Sequence, residues 1–347
     1  MAAHAPAVRF VRHERRTALI VLLVLAAASC VSILLACAIG SVPLSPGELF
    51  AALGELARGE RGTLAATLLE LRLGRALAAF VTGAALALAG VMMQALLRNP
   101  LADPYVLGVS GGAAVGALAA ILFFGIGWMV DAAAFGGAIG VALLLFLLAY
   151  RDLRGTASAE GSAPLLLLTG VVVASGCGAL VTLMLSVAPD NRLRGMVFWL
   201  IGDLSSAQPG ILPWLVWGGA LVYVLRAARS INILAMHADN AAAFGVRVSA
   251  LRKGLFISSA LLTASAVSTA GSIGFVGLIV PHACRFAWGP DHRLLLPAAT
   301  LAGGAFLVLA DTLARTVIAP QQLPVGVITA IIGVPVFLVQ LHQLHRR

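Results

Sequence analysis

Residues 76–97 read ALAAFVTGAALALAGVMMQALL, a stretch with no formally charged side chain. At about 1.5 Å of rise per residue it is long enough to cross a hydrocarbon core of roughly 30 Å, and no polar face interrupts it. Comparable stretches lie at 17–39, 105–128, 132–150, 163–188 and 209–225. Between Lys253 and Arg285 the uncharged run is too long for one crossing, and Gly271-Ser272-Ile273-Gly274 is the natural place for it to break, giving spans near 254–270 and 275–288. Spans at 294–313 and 324–342 follow, the last after the helix-breaking Pro320-Gln321-Gln322-Leu323-Pro324. The expected fold class is therefore all-α: a polytopic membrane protein of ten transmembrane helices in one domain over residues 1–347.

Composition supports this. The 347 residues are 61% hydrophobic and 11% charged, with mean hydropathy +1.01, which excludes an ordinary soluble enzyme. Net charge is +9, but the basic residues, all arginine apart from Lys253, fall between apolar runs and read as topology signals rather than nucleic-acid contacts. With the N-terminus inside, the cytoplasmic connections hold 16 of the 23 basic residues and the outside holds 7, so both termini are expected in the cytoplasm. Cys30, Cys37, Cys177 and Cys284 lie in apolar runs without metal-ligand spacing and read as small core residues. Arg9, Arg12, Arg15 and Arg16 precede the first run in the manner of a signal peptide, yet 17–39 is long enough to span.

An ion-coupled carrier, a channel, a membrane enzyme and the membrane half of an ATP-driven importer all fit such a chain. Carriers place ionisable groups at mid-membrane, and these spans are nearly empty of them. Asp311 and Arg315 stand one turn apart near a helix end and read as an interfacial pair. His282 follows Pro281 with no carboxylate near it in sequence and reads as a helix-end histidine. Lys253 sits in Arg-Lys-Gly-Leu, not in a phosphate-binding loop, so if ATP drives transport another subunit binds it. The basic connection 226–253 is the expected docking surface for it, with two short helices over 231–245 and apolar Leu234, Met236 and Phe244 that would be wasted on water. Runs such as Gly83-x-x-x-Ala87, Gly108-Val109-Ser110-Gly111-Gly112 and Gly136-Gly137-x-x-Gly140 suit close helix packing.

Four longer motifs carry a resemblance: Gln94-Ala95-Leu96-Leu97-Arg98-Asn99-Pro100-Leu101-Ala102-Asp103-Pro104, Gly274-Phe275-Val276-Gly277-Leu278-Ile279-Val280-Pro281-His282, Asp291-His292-Arg293, and Leu323-Pro324-Val325-Gly326-Val327-Ile328-Thr329-Ala330. In this order they resemble the FecCD family of ABC-importer permeases, which import iron chelates, haem and cobalamin. The resemblance implies a type II importer permease fold, a homodimer with the path at its interface, cytoplasmic ABC ATPase subunits, a periplasmic substrate-binding protein, lipid around the spans, no cofactor, no metal and no catalysis on the substrate. The location implied is the bacterial inner membrane. It implies a translocation gate at Asn99, Leu101, Ser162 and Ala163, the last two in the loop before the fifth span. It implies ATPase coupling through Leu234, Met236, His237, Asp239, Phe244 and Gly245, and binding-protein docking by Arg72, Arg75 and Arg315. The alternatives are ordinary loop geometry for the gate residues and headgroup snorkelling for the arginines. Two departures stand out: the family's usual Arg-Leu-Pro-Arg is Arg72-Leu73-Gly74-Arg75, loosening an expected helix start, and Gln322 replaces a frequent Glu. A stand-alone ion-coupled carrier or channel is the competing reading. A metal-ion import permease, expected to show more His and Asp along its path, is a third. Among ferric siderophore, haem and cobalamin the sequence does not choose.

Overall fold

The computed structural model describes residues 5–40, 42–150, 159–205, 207, 210–236 and 238–345, and among these every regular element is helical. In chain order the α-helices are α1 (Ala5–Ala38), α2 (Pro46–Ala57), α3 (Leu64–Leu97), α4 (Val109–Phe123), α5 (Gly127–Leu148), α6 (Ala159–Val187), α7 (Asp190–Ile201), α8 (Ile211–Met236), α9 (Ala238–Ala243), α10 (Val248–Ala270), α11 (Val276–Trp288), α12 (His292–Ala314) and α13 (Val325–His345), with a 3-10 turn at Pro104–Leu107. Seven of them, α1, α3, α5, α6, α8, α10 and α12, are long and apolar enough to cross a bilayer. The expected spans 105–128, 275–288 and 324–342 fall on α4, α11 and α13, of which α4 and α11 have only 15 and 13 residues. Seven rather than ten helices thus meet the length criterion among the described residues.

The middle of the molecule is α3. It is apolar on all sides, as a helix surrounded by others must be, and nearly all of its apolar window is buried. Helices α12, α10, α11, α1 and α8 pack around it, while α4 pairs with α5. Glycine makes the closest of these contacts possible. A Cβ on Gly90 would lie 1.8 Å from the Gly277 carbonyl oxygen, and one on Gly83 would lie 2.3 Å from that of Gly303, so α3 meets α11 and α12 backbone to backbone. Gly112 and Gly137 join α4 to α5 in the same way, whereas Gly136 and Gly140 face open space.

Several boundaries differ from expectation for local reasons. Thr63 caps α3 by accepting the Ala66 N–H at 3.2 Å, so the helix begins twelve residues before the expected 76 and runs through Arg72 and Arg75. Gly74 is therefore inside a helix and does not loosen its start; without proline there, the backbone ladder continues. Helix α8 likewise continues through Arg226 and Arg229 to Met236, because arginine is a good helix former and no breaker intervenes. Ser162 and Ala163 lie in the first turns of α6 rather than in a loop. His282 sits mid-helix in α11, not at a helix end. Between α10 and α11 the chain turns through Gly271 and Phe275, both at positive φ. The Ile273 N–H there donates to the Tyr105 hydroxyl at 3.2 Å, which braces the turn against the segment after α3.

Candidate functional site

One end of the bundle gathers the three arginines expected to dock a partner. Arg72 Nη1 donates to the Cys37 and Ala38 carbonyls at 3.1 and 3.3 Å, and Nη2 donates to the Val42 carbonyl. Arg315 Nη2 donates to the Ala36 carbonyl at 2.6 Å. These acceptors belong to the last turn of α1 and the residues beyond it, where a helix leaves carbonyls unsatisfied and carries partial negative charge. Asp311, 1% exposed, stands between: Arg75 reaches its carboxylate with Nε at 2.9 and 3.1 Å and Nη2 at 2.7 Å, and Arg315 Nε lies 3.6 Å away. The pair foreseen between Asp311 and Arg315 is thus present, joined by an arginine 236 residues upstream. Gln322 accepts from Arg75 Nη1 at 2.8 Å, so a neutral amide serves where the family often has a carboxylate.

Arg72 and Arg315, expected to dock a partner, also make hydrogen bonds within the chain. Both are buried, at 7% and 6% exposure, with guanidinium groups engaged by α1. Arg75 keeps more contact with solvent, its side chain being 13% exposed.

The opposite end carries the gate and coupling residues. Arg98 closes α3 at φ 48°, and the Asn99 side-chain oxygen accepts the Leu101 N–H at 2.9 Å. Asp103 accepts the Tyr105 N–H at 2.7 Å. Asn99 and Asp103 therefore shape two tight turns, in keeping with the loop-geometry alternative, and leave Leu101 37% exposed. The side chains of Ser162 and Ala163 lie outside the described residues, as do those of Met236 and Asp239 and the whole of His237.

Of the coupling residues, Leu234 is 1% exposed inside the helix packing, so its apolarity is not offered to a partner. Phe244 is 74% exposed directly after α9. Gly245, at φ +75°, then stops that short helix with its N–H on the Ala242 carbonyl at 2.9 Å. An exposed aromatic on a tightly stopped turn is a projecting knob.

Sequence reasoning missed a polar cluster at the same end of the bundle, where α8 meets the start of α12. Asn232, on the final turns of α8, donates through Nδ2 to Asp291 at 2.7 Å and accepts the His292 N–H at 2.9 Å, while Asp291 caps α12 through the Arg293 N–H at 3.0 Å. Burial alone would raise the Asp291 carboxyl, but the Arg293 N–H, the Asn232 amide and the Arg293 charge outweigh it and hold the group below the ordinary carboxylate range. A cleft of about 600 Å³ opens between these residues and the end of α3. Among the described residues no three His, Cys, Asp or Glu side chains gather to hold a metal ion.

The arrangement is that of a helical bundle with two differently built ends. Residues 21–343 match the FecCD transport family. The chain is 42% identical over 284 residues to an uncharacterized ABC transporter permease, YvrB of Bacillus subtilis, covering 80% of this chain and 79% of that one. It is 35% identical over 339 residues to the vitamin B12 import system permease BtuC of Salmonella typhi, covering 95% and 97%. A solved structure described as a metal-chelate type ABC transporter in an inward-facing conformation superposes with a TM-score of 0.80 at 29% identity, covering 93% of this chain and 98% of that one. The chain belongs to the FecCD transport family and is a membrane-spanning permease subunit of an ABC importer.

Proposed function

We propose that this permease carries a bulky metal chelate, of the ferric siderophore, haem or cobalamin class, across the bacterial inner membrane in an ATP-driven import complex, with cobalamin the first candidate. The observation that carries the proposal is the likeness to a vitamin B12 import permease across 95% of this chain and 97% of that one. Two copies of the chain form the path, in a ten-span topology with both termini cytoplasmic. Helix α6 is compatible with such a face: it is sparsely buried, and its exposed Ser175 and Thr182 hydroxyls are satisfied by their own helix. Asn99, Leu101, Ser162 and Ala163 form the inner constriction.

Below the membrane, separate ATPase subunits dock on the α8–α9 connection with Phe244 as the buried anchor and Met236, His237, Asp239 and Gly245 as further coupling residues. Above it, a periplasmic binding protein docks on the end that holds Arg75; Arg72 and Arg315 support that surface from beneath. Closure of the ATPases then shifts the dimer between two arrangements of its helices. The test is uptake by proteoliposomes holding the permease with its neighbouring ATPase and binding protein, supplied in parallel with cobalamin, haem and a ferric siderophore. One of the three accumulating only with ATP and binding protein is expected; accumulation of none by an assembled, ATP-hydrolysing complex refutes the chelate assignment.

A further inference from the structure

The cleft between the ends of α3, α8 and α11 and the start of α12 adjoins the proposed constriction and coupling surface, but its lining includes neither Asn99, Leu101 nor Phe244. Two of its lining residues, Arg98 and Arg285, are half-buried, and among the described residues neither forms an ion pair. Arg98 Nη2 is buried with no hydrogen-bond partner. Guanidinium groups withdrawn from water and left without an acid are costly, and an anion in the cleft relieves that cost.

The rest of the polar wall has the opposite character. Asn232 Nδ2 donates to the Asp291 carboxylate, which fixes the amide so that Oδ1 faces the His292 ring at 2.7 Å from Nδ1. A carbonyl-type oxygen only accepts, so Nδ1 carries the proton and Nε2 presents a lone pair. That Nε2 has no partner, and His292 is 4% exposed. Gln94, 3% exposed, repeats the pattern: its Nε2 donates to the Leu278 carbonyl at 3.3 Å while Oε1 has no partner. One cleft thus sets unpaired cations beside unpaired acceptors. A halide or sulfate, which has no proton to donate, answers only the first, and an alkylammonium only the second.

We infer that this cleft binds a phosphate ester carrying a free hydroxyl, the phosphate held by Arg98 and Arg285 and the hydroxyl donated to Gln94 Oε1 or His292 Nε2. This is the chemistry of a phosphatidylglycerol headgroup and of soluble glycerol 3-phosphate. A basic recess at the end of spanning helices is also a place where anionic headgroups settle.

The test uses the full chain alone, without ATPase or binding protein, so its failure leaves the import proposal standing and the reverse holds equally. The chain is reconstituted in phosphatidylcholine nanodiscs with a minor fraction of phosphatidylglycerol, and lipids retained on release are counted by native mass spectrometry. Phosphatidylglycerol is expected to be retained selectively. Retention should fall about tenfold in Arg98→Gln with Arg285→Gln, the scale of one charge-assisted hydrogen bond. Arg58→Gln with Arg61→Gln, at exposed pairs with Glu60 and Glu70, should leave it unchanged. If the double variant does not fold, Arg285→Gln alone carries the comparison. Gln94→Leu should lose the preference for phosphatidylglycerol over phosphatidic acid. Displacement by millimolar glycerol 3-phosphate assigns the site to a soluble ester, and resistance to it assigns the site to lipid. No selective retention of phosphatidylglycerol together with no binding of glycerol 3-phosphate overturns the inference, as does equal retention in the folded Arg98/Arg285 variant.

Discussion

Replacing Asp311 with alanine removes the one carboxylate that Arg75 and Arg315 share. The carboxylate side chain is 2% exposed, Arg75 is 13% exposed, and their contacts fall between 2.7 and 3.1 Å, so the pair is largely withheld from solvent. Deleting one partner of a buried ion pair costs about 3–5 kcal/mol, because the surviving charge keeps its desolvation penalty. Here two guanidinium groups survive, which puts Asp311→Ala at the upper part of that range. Arg75→Ala should cost less, about 1.5–3 kcal/mol, since Asp311 keeps Arg315 at 3.6 Å and Gln322 is free to turn toward water. The double variant should cost less than the sum, with a coupling of about 1–3 kcal/mol. The assay is an SDS titration of the folded chain in mixed micelles, followed by circular dichroism, for the parent, both single variants and the double. Asp311→Ala within about 0.5 kcal/mol of the parent, the scale of a neutral surface change, refutes the idea that this carboxylate clamps α3 to α12.

Other expectations follow from single contacts. Gly90→Ala drives a methyl into the Gly277 carbonyl and should cost about 1–3 kcal/mol in the same titration, whereas Gly136→Ala, in open space within α5, should be neutral or stabilising by up to about 1 kcal/mol. Leu234→Ala should destabilise the chain by about 2–5 kcal/mol through a buried cavity. Phe244→Ala should leave stability unchanged yet weaken ATPase binding about tenfold or more, measured by surface-immobilised titration, since it deletes an exposed ring whose burial is worth about 1.5–3 kcal/mol. Glu48 caps α2 with its carboxylate on the Ser45 N–H and hydroxyl, which lowers its folded pKa; that support is present above the unfolded pKa and is lost as pH falls through the folded one. Protection factors in α2, taken relative to the intrinsic exchange rate at each pH, should therefore fall in acid, and Glu48→Gln should remove that fall.

What the sequence made legible was whatever depends on neighbours along the chain. Long uncharged runs mark most helices, Gly271–Gly274 coincides with the turn between α10 and α11, and the i, i+4 relation of Asp311 and Arg315 foretells their contact. The capping box of α2 was equally readable, since Ser45-Pro46-x-Glu48 has both the reciprocal acceptors and a proline at the first helical position, but a scan for apolar runs passes over a short amphipathic helix. Charge was a poor guide to helix ends: Arg72, Arg75, Arg226 and Arg229 sit within helices, because a guanidinium on a long stem finds water or a carbonyl without breaking the backbone ladder. Contacts between distant segments left no trace to read. Nothing near Arg75 announces Asp311, nothing near Asn232 announces Asp291, and Leu234 looks like an exposed loop residue until α8 is seen to continue past it. For the same reason nothing in the sequence announced that Arg72 and Arg315 hold the carbonyls at the end of α1.

In the function proposed here, a chelate crosses this permease at the expense of ATP. Its most direct test is uptake of labelled cobalamin into proteoliposomes containing the permease, ATPase and binding protein, with ATP or a non-hydrolysable analogue on the ATPase side, and with ionophores present to dissipate every ion gradient. Uptake that persists in ionophore, requires hydrolysable ATP and falls with Phe244→Ala is the predicted result. Uptake that ignores ATP and collapses with the ion gradients would contradict the account and leave the chain a carrier working alone.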